Sequence, residues 1–123
     1  MTLVRHKNIQ VIGCVTDVTD MFAKLTETGP TVALIDFSVL SEANYSMLAE
    51  VRRSHPKTKV ILLCDGADQA KLIEAFRHGA SGYLETKDRK AFLAKAVQVV
   101  SEGEAWVPRH FVTKIVDRLG RAQ

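Results

Sequence analysis

The sequence predicts an α/β fold in which a parallel sheet of about four strands is flanked by helices. Three observations support this fold class. Short apolar runs rich in branched residues alternate along the chain with longer segments of helical periodicity. Several of these runs are continuously apolar, which is typical of parallel strands covered on both faces. Strands that alternate with helices are joined by right-handed crossovers, so we expect parallel neighbours in one sheet.

Length and composition are those of one ordinary globular domain. The chain has 123 residues, of which 46% are hydrophobic and 25% are charged, and its formal net charge is +3. No apolar run reaches the roughly 20 residues that a membrane-spanning helix needs. The N-terminus lacks the pattern of a secretory signal, and the two cysteines suit a reducing compartment. We therefore expect a cytoplasmic protein without membrane contact.

The first half of the chain begins with a predicted strand and helix. The run Ile9–Val15 is short and lies between polar residues, which predicts a buried strand. Thr16 or Asp17 can cap the helix that follows, and Gly29-Pro30 ends it. The run Val32–Ile35 then predicts a second buried strand.

Asp36 directly follows this second strand and places a carboxylate at the strand's C-terminal end. A further helix carries apolar residues at helical spacing from Tyr45 onward and ends at Ser54-His55-Pro56. Val60–Leu63 predicts the third strand, which ends at Cys64.

The second half of the chain repeats this alternation. A helix around Leu72 is stopped near Gly79, and Ser81–Leu84 predicts the fourth strand. Asp88 is placed to cap a long helix that ends at Gly103. A last amphipathic helix is expected after Pro108; its apolar stripe comprises Phe111, Val112, Ile115, Val116 and Leu119. We therefore assign a domain to residues 1–104 and a C-terminal helical extension to residues 105–123.

Four segments resemble the response-regulator receiver family, in particular its NarL/FixJ type. They are Thr31–Asp36 (TVALID), Lys59–Cys64 (KVILLC), Phe76–Leu84 (FRHGASGYL) and Val100–Pro108 (VSEGEAWVP). The piece Gly79–Leu84 is the most specific of them. The resemblance covers about residues 9–110 and implies a CheY-like, flavodoxin-like fold. It also implies a place in two-component signal transduction, in a phosphorelay that regulates transcription.

The resemblance implies that Asp36 is the phospho-acceptor, with a histidine kinase as the phosphoryl donor. In the family an acidic pair after the first strand joins the acceptor aspartate in holding Mg²⁺. Here the first β-α unit has no counterpart, because Ile9–Val15 aligns with the family's second strand. Metal ligands then remain only at Asp36, at the Ser38 carbonyl, and at Asp17 if its strand lies beside that of Asp36. We expect no cofactor unless Asp36 is a working acceptor, in which case Mg²⁺ is required.

The other switch positions also depart from the family. Cys64 stands where a Ser or Thr hydroxyl is expected, and a thiol is a weak hydrogen-bond donor. Thr86 stands at the position of the family's lysine, and Lys87 comes one residue late. Tyr83 matches the family's aromatic switch, although it is also compatible with plain core packing. Cys64 is most simply interpreted as a small buried residue, with a redox-sensitive thiol as the alternative.

Two functions follow from this pattern. The first is a non-enzymatic pseudo-receiver that acts by protein contacts, in which Asp36 merely ends a strand. The second is a working phospho-acceptor that passes the change at Asp36 to Tyr83 and the final helices. A small nucleotide or phosphate binder is a third class, but the sequence has no Gly-rich phosphate loop.

The missing unit also bears on partners. In the family's strand order 2-1-3-4-5 the first strand is central, so this sheet must close differently. The C-terminal stripe can fold back over the exposed face, or two chains can bury it together; we favour a homodimer. A fragment of a longer regulator is a further possibility. The C-terminal segment concentrates basic residues, but no helix-turn-helix pattern accompanies them, so we do not expect DNA binding by this chain alone. These residues are Arg109, His110, Lys114, Arg118 and Arg121.

Overall fold

The computed structural model describes residues 2–5, 10–14, 18–36, 45–66 and 69–107, together with 112, 113 and 117. The strands in these ranges are β1 (Thr2–Arg5), β2 (Gln10–Cys14), β3 (Val32–Asp36), β4 (Lys59–Cys64) and β5 (Gly82–Glu85). The helices are α1 (Val18–Thr28), α2 (Tyr45–Ser54), α3 (Gln69–Arg77) and α4 (Arg89–Ser101). The α/β fold class is confirmed.

The sheet has the strand order β2-β1-β3-β4-β5. β3, β4 and β5 are parallel, as predicted. β1 was not predicted, so the described sheet has five strands where about four were expected. It lies between β2 and β3 and runs antiparallel to both. The place between β2 and β3, which the family's first strand would occupy, is therefore filled, but by a strand of reversed direction.

The sequence signals can be compared with the structure at the end of α1 and the start of α4; Thr16 and Asp17, the predicted caps of α1, lie outside the described residues. α1 ends at Gly29, which has a φ of 53° and donates its N–H to the Leu25 carbonyl at 3.0 Å, and Pro30 follows. α4 begins directly after Asp88, as predicted, but the Asp88 side chain makes no capping hydrogen bond. The prediction of a side-chain cap was wrong because a short 3₁₀ turn, Thr86–Asp88, leads from β5 into the helix and leaves Asp88 itself with helical φ and ψ.

Helices cover the two faces of the sheet unequally. α1, α2 and α3 contribute buried residues to one core cluster, for example Leu25, Leu48 and Leu72. The cluster on the other face contains residues of α4 alone among the described helices, namely Ala96, Val97 and Val100. Val32 and Leu34 of β3 belong to this second cluster and are buried. This is the layering of a doubly wound sheet with a single described helix on one side.

The segment after α4 pairs with the outer edge of β5. Tyr83 donates its backbone N–H to the Trp106 carbonyl at 2.9 Å, and the Trp106 N–H is bonded to the Ser81 carbonyl at 3.1 Å. The Trp106 ring also contacts that of Phe92 on α4, with centroids 6.2 Å apart. These bonds occupy backbone groups that an edge strand would otherwise leave open.

The predicted C-terminal helix lies largely outside the described residues. Val112, Thr113 and Asp117 are helical in backbone, and Val112 is 44% exposed. The rest of the apolar stripe and the basic residues of this segment fall outside the described ranges. None of the helices in those ranges has the length and apolar character that a bilayer crossing requires.

Candidate functional site

The candidate site is the edge of the sheet at which the three parallel strands end. Asp36 is the last residue of β3; it is exposed and pairs in register with Leu63. Cys64, the last residue of β4, pairs with Glu85, the last residue of β5. Open α/β sheets bind their ligands at this carboxyl edge, so Asp36 has the position that a phospho-acceptor needs.

The direction of β1 determines what reaches this edge beside Asp36. Thr2 pairs with Leu34 of β3, and Val4 pairs with Val32, so the N-terminal end of β1 points toward the carboxyl edge. The C-terminal residue of β1, Arg5, lies toward the opposite edge. A central strand that runs parallel would end beside Asp36 and could carry an acidic pair there. This reversed strand cannot deliver its C-terminal residues to that place.

The hypothesis that Asp17 supplies a metal ligand required β2 to lie next to β3. That arrangement is wrong, because β1 separates the two strands. At about 4.8 Å between neighbouring strands, β2 and β3 lie about 10 Å apart, whereas ligands of one Mg²⁺ all lie about 2 Å from the ion. Asp17 and Ser38 themselves fall outside the described residues. Among the described residues no three Asp, Glu, His or Cys side chains are grouped as a metal site.

Tyr83, Glu85 and Lys87 form a polar network at the end of β5. The Tyr83 hydroxyl donates to Glu85 Oε1 at 3.0 Å, and Lys87 Nζ lies 3.2 Å from Glu85 Oε2. Tyr83 is 3% exposed, so its ring points into the core. Burial raises the pKa of the Tyr83 phenol well above its usual value, and the neighbouring Cys64 and Glu85 raise this pKa further. The phenol therefore stays neutral and acts as a donor.

Lys87 comes one residue after the position of the family's lysine, and its ammonium lies on the Tyr83 side of the sheet. Side chains two apart on a strand share a face, so Glu85 lies on the same side of the sheet as Tyr83, which packs in the cluster of α2 and α3. Asp36 lies two residues after Leu34 on β3, so the two residues share a face of the sheet, and Leu34 packs in the α4 cluster. Lys87 lies beyond the strand, in the 3₁₀ turn, and its pair with Glu85 places its ammonium on the Tyr83 side.

The two remaining switch candidates differ in exposure. Cys64 is a free cysteine, 6% exposed, in the same core cluster as Tyr83. Thr86 is exposed in the 3₁₀ turn. The structure thus brings Cys64 and Tyr83 together on one face. Sequence reasoning missed Glu85, although the spacing Tyr-x-Glu on a strand already indicates two side chains on the same face.

The Gly79–Leu84 segment owes its glycines to packing. Gly79 has a φ of 122°, a conformation that favours glycine, and a Cβ there would lie 3.2 Å from Arg52 Cδ. Gly82 has ordinary backbone angles, but a Cβ there would lie 3.2 Å from Ile61 Cγ1 and 3.3 Å from Val100 Cγ2. This segment lets β5 approach β4 and α4 closely.

Comparison with known proteins agrees with this geometry. No family model matches the chain. The oxygen regulatory protein NreC of Staphylococcus aureus is 27% identical over 118 residues, which cover 95% of this chain and 54% of NreC. The isolated REC domain of RcsB from Salmonella enterica serovar Typhimurium superposes with a TM-score of 0.71 at 19% identity, covering 82% of this chain and 74% of that domain. A LuxR-family two-component response regulator from Aurantimonas superposes with the same TM-score of 0.71 at 18% identity, covering 89% of this chain and 76% of the regulator.

The chain has a receiver-type fold and is similar in sequence to a response regulator. The resemblance inferred from the sequence is thereby confirmed. The receiver-type chain spans about half the length of the curated relatives it matches. Its parallel strands β3 to β5 and the helices between them provide the receiver fold, whereas the hairpin of β1 and β2 replaces the parallel start of the sheet.

Proposed function

We propose that this chain is a pseudo-receiver, a non-catalytic signalling domain that acts through protein contacts without a phosphoryl group on Asp36. The reversed direction of β1 carries this proposal. Phosphoryl transfer relies on cations that neutralise charge around the carboxylate nucleophile. Here β1 brings no acidic pair to hold a metal ion, and the ammonium of Lys87 is engaged by Glu85. The chain would thus serve a two-component pathway as a module for binding.

A working phospho-acceptor is the second candidate function. The observation that favours it is the exposed position of Asp36 at the carboxyl end of β3. In that case a histidine kinase would donate the phosphoryl group, Mg²⁺ would be needed, and the output would be control of transcription. Because β1 brings no acidic pair to hold a metal ion beside Asp36, much of the developing charge would lack compensation, and we rank this function below the first.

Phosphate incorporation from acetyl phosphate separates the two functions. The chain is incubated with and without Mg²⁺ and its intact mass is measured, beside Asp36→Asn and an ordinary receiver domain as positive control. We expect no gain of a phosphoryl group in this chain while the positive control is labelled. A Mg²⁺-dependent gain that Asp36→Asn abolishes would instead establish the working acceptor.

We also propose that two chains associate through the α4 face. Phe92 on α4 is 46% exposed and lies against Trp106, so the two rings form an apolar surface that a second copy of the chain would cover. Phe92→Lys should shift the molar mass measured by light scattering from dimer to monomer. Ala94→Lys adds the same charge on the other side of α4 and should leave the dimer intact. A wild-type chain that is monomeric at high concentration would refute the dimer.

A further inference from the structure

We propose that Glu85 is a positioning residue that holds Tyr83 in the core and keeps Lys87 on the Tyr83 side of the sheet. The inference deepens the proposed function and rests on it, because it concerns the surface that a pseudo-receiver would present. Glu85 has no counterpart among the switch residues that the sequence resemblance identified. Its role follows from the contacts of its two oxygens.

The two oxygens of the Glu85 carboxylate have different partners. One accepts the hydrogen bond of the Tyr83 hydroxyl, and the other pairs with the Lys87 ammonium. The Glu85 side chain is 20% exposed, whereas that of Lys87 is 77% exposed. The carboxylate therefore links a buried phenol to a charge in solvent, and an exposed ion pair of this kind adds little to the stability of the fold.

Burial of the Tyr83 ring depends on a partner for its hydroxyl. A phenol moved out of water without a hydrogen bond costs free energy, which favours rotation of the ring toward solvent. The Cys64 thiol also interacts with the phenol, but a sulfur atom is a weak hydrogen-bonding partner. Glu85 supplies the stronger acceptor, two residues away on the same strand face. The neutral, donating state of Tyr83 agrees with this, since burial and the Glu85 charge both oppose ionisation.

The consequence concerns the face formed by α3 and β5. Tyr83 packs in the same cluster as Leu72 and Ala75 of α3. With its hydroxyl anchored, the ring stays in the core whatever the state of Asp36. Lys87 is held by the same carboxylate, so neither element of a switch is available to respond. The α3–β5 face is then fixed in one state for its partner.

Fluorine NMR of the chain labelled with 3-fluorotyrosine tests this inference. The sequence has two tyrosines, Tyr45 and Tyr83, and Tyr45→Phe assigns the two signals. The measured quantity is the change in each shift between H₂O and D₂O, which reports exposure of the ring. For wild type we expect a Tyr83 value near zero. For Glu85→Ala we expect it to rise toward that of free 3-fluorotyrosine, or the signal to split.

Three further variants make the result specific. Glu74→Ala removes another glutamate, which pairs with Arg77 on α3, and should leave the Tyr83 signal as in wild type. Glu85→Gln keeps an acceptor oxygen but loses the charge, so we expect the solvent-dependent change in the Tyr83 shift to rise less than in Glu85→Ala. Lys87→Met removes only the ion pair, at an exposed position, and should raise the solvent-dependent change in the Tyr83 shift in part. This variant keeps the test possible where Glu85→Ala fails to fold.

An unchanged Tyr83 signal in folded Glu85→Ala, or in both milder variants where Glu85→Ala does not fold, would overturn the inference. The fold of each variant is checked by far-ultraviolet circular dichroism. This experiment contains no phosphoryl donor, and the acetyl phosphate experiment contains no measurement on Tyr83. Failure of the positioning role is therefore distinguishable from failure of the proposed function.

Discussion

Gly82→Val is expected to lower the free energy of unfolding by about 3 kcal/mol. A Cβ at position 82 would already lie 3.2 Å from Ile61 Cγ1 on β4 and 3.3 Å from Val100 Cγ2 on α4. Valine adds two methyl groups beyond that carbon. Relief requires β5 to move away from α4, and this movement would strain the backbone bonds between β5 and Trp106.

Urea denaturation followed by the fluorescence of Trp106, the single tryptophan, measures this loss. Gly82→Ala adds only the Cβ and should cost about 1 kcal/mol, so the two variants form a graded series. Ala105→Val adds two methyl groups at an exposed neighbour of Trp106 and serves as the matched control. Equal stability of Gly82→Val and wild type would mean that β5 and α4 are not closely packed.

The glycines of the Gly79–Leu84 segment have structural roles in this chain. Gly79 ends the α3 turn with a positive φ, and Gly82 allows close approach of β5 to its neighbours. Both requirements concern the fold and are independent of chemistry at Asp36. A chain can therefore keep this segment while the residues around the carboxylate change.

The sequence predicts the parallel part of the fold because its signals are local. The runs that form β3 and β4 are continuously apolar, and Gly29-Pro30 and Pro56 mark the ends of two helices. β1 gives no such signal, because Thr2–Arg5 is four residues long with one basic and one polar member. Its place and direction are decided by pairing with β2 and β3, which is a tertiary property.

The same distinction applies to the candidate site. Asp36 was placed correctly at the carboxyl edge, because the ends of parallel strands meet there. The partner of Lys87 could not be predicted in the same way. This partner depends on the side of the sheet to which Lys87 points, and the 3₁₀ turn Thr86–Asp88, which follows β5, determines that side. Glu85 was accessible to sequence reasoning through its spacing from Tyr83, but not through the resemblance to the family.

A disulfide between an introduced cysteine and the native Cys14 can determine the direction of β1. Thr2 is the partner of Cys14 in the antiparallel register of β1 and β2. Opposed residues of an antiparallel pair have Cα atoms about 4.5–5.5 Å apart, a separation that disulfides accept. We therefore expect Thr2→Cys to form an intramolecular disulfide with Cys14 on mild oxidation, detected by peptide mapping under non-reducing conditions.

Arg5→Cys is the matched control, since Arg5 is the partner of Gln10 at the other end of the pair. At about 3.4 Å per residue it lies about 13 Å from Cys14, beyond the reach of a disulfide. A disulfide with Arg5→Cys alone would contradict the antiparallel register of β1 and β2 and remove the basis of the pseudo-receiver proposal. A disulfide with Thr2→Cys alone would leave Asp36 without the acidic pair on which metal-assisted phosphoryl transfer in the receiver family depends.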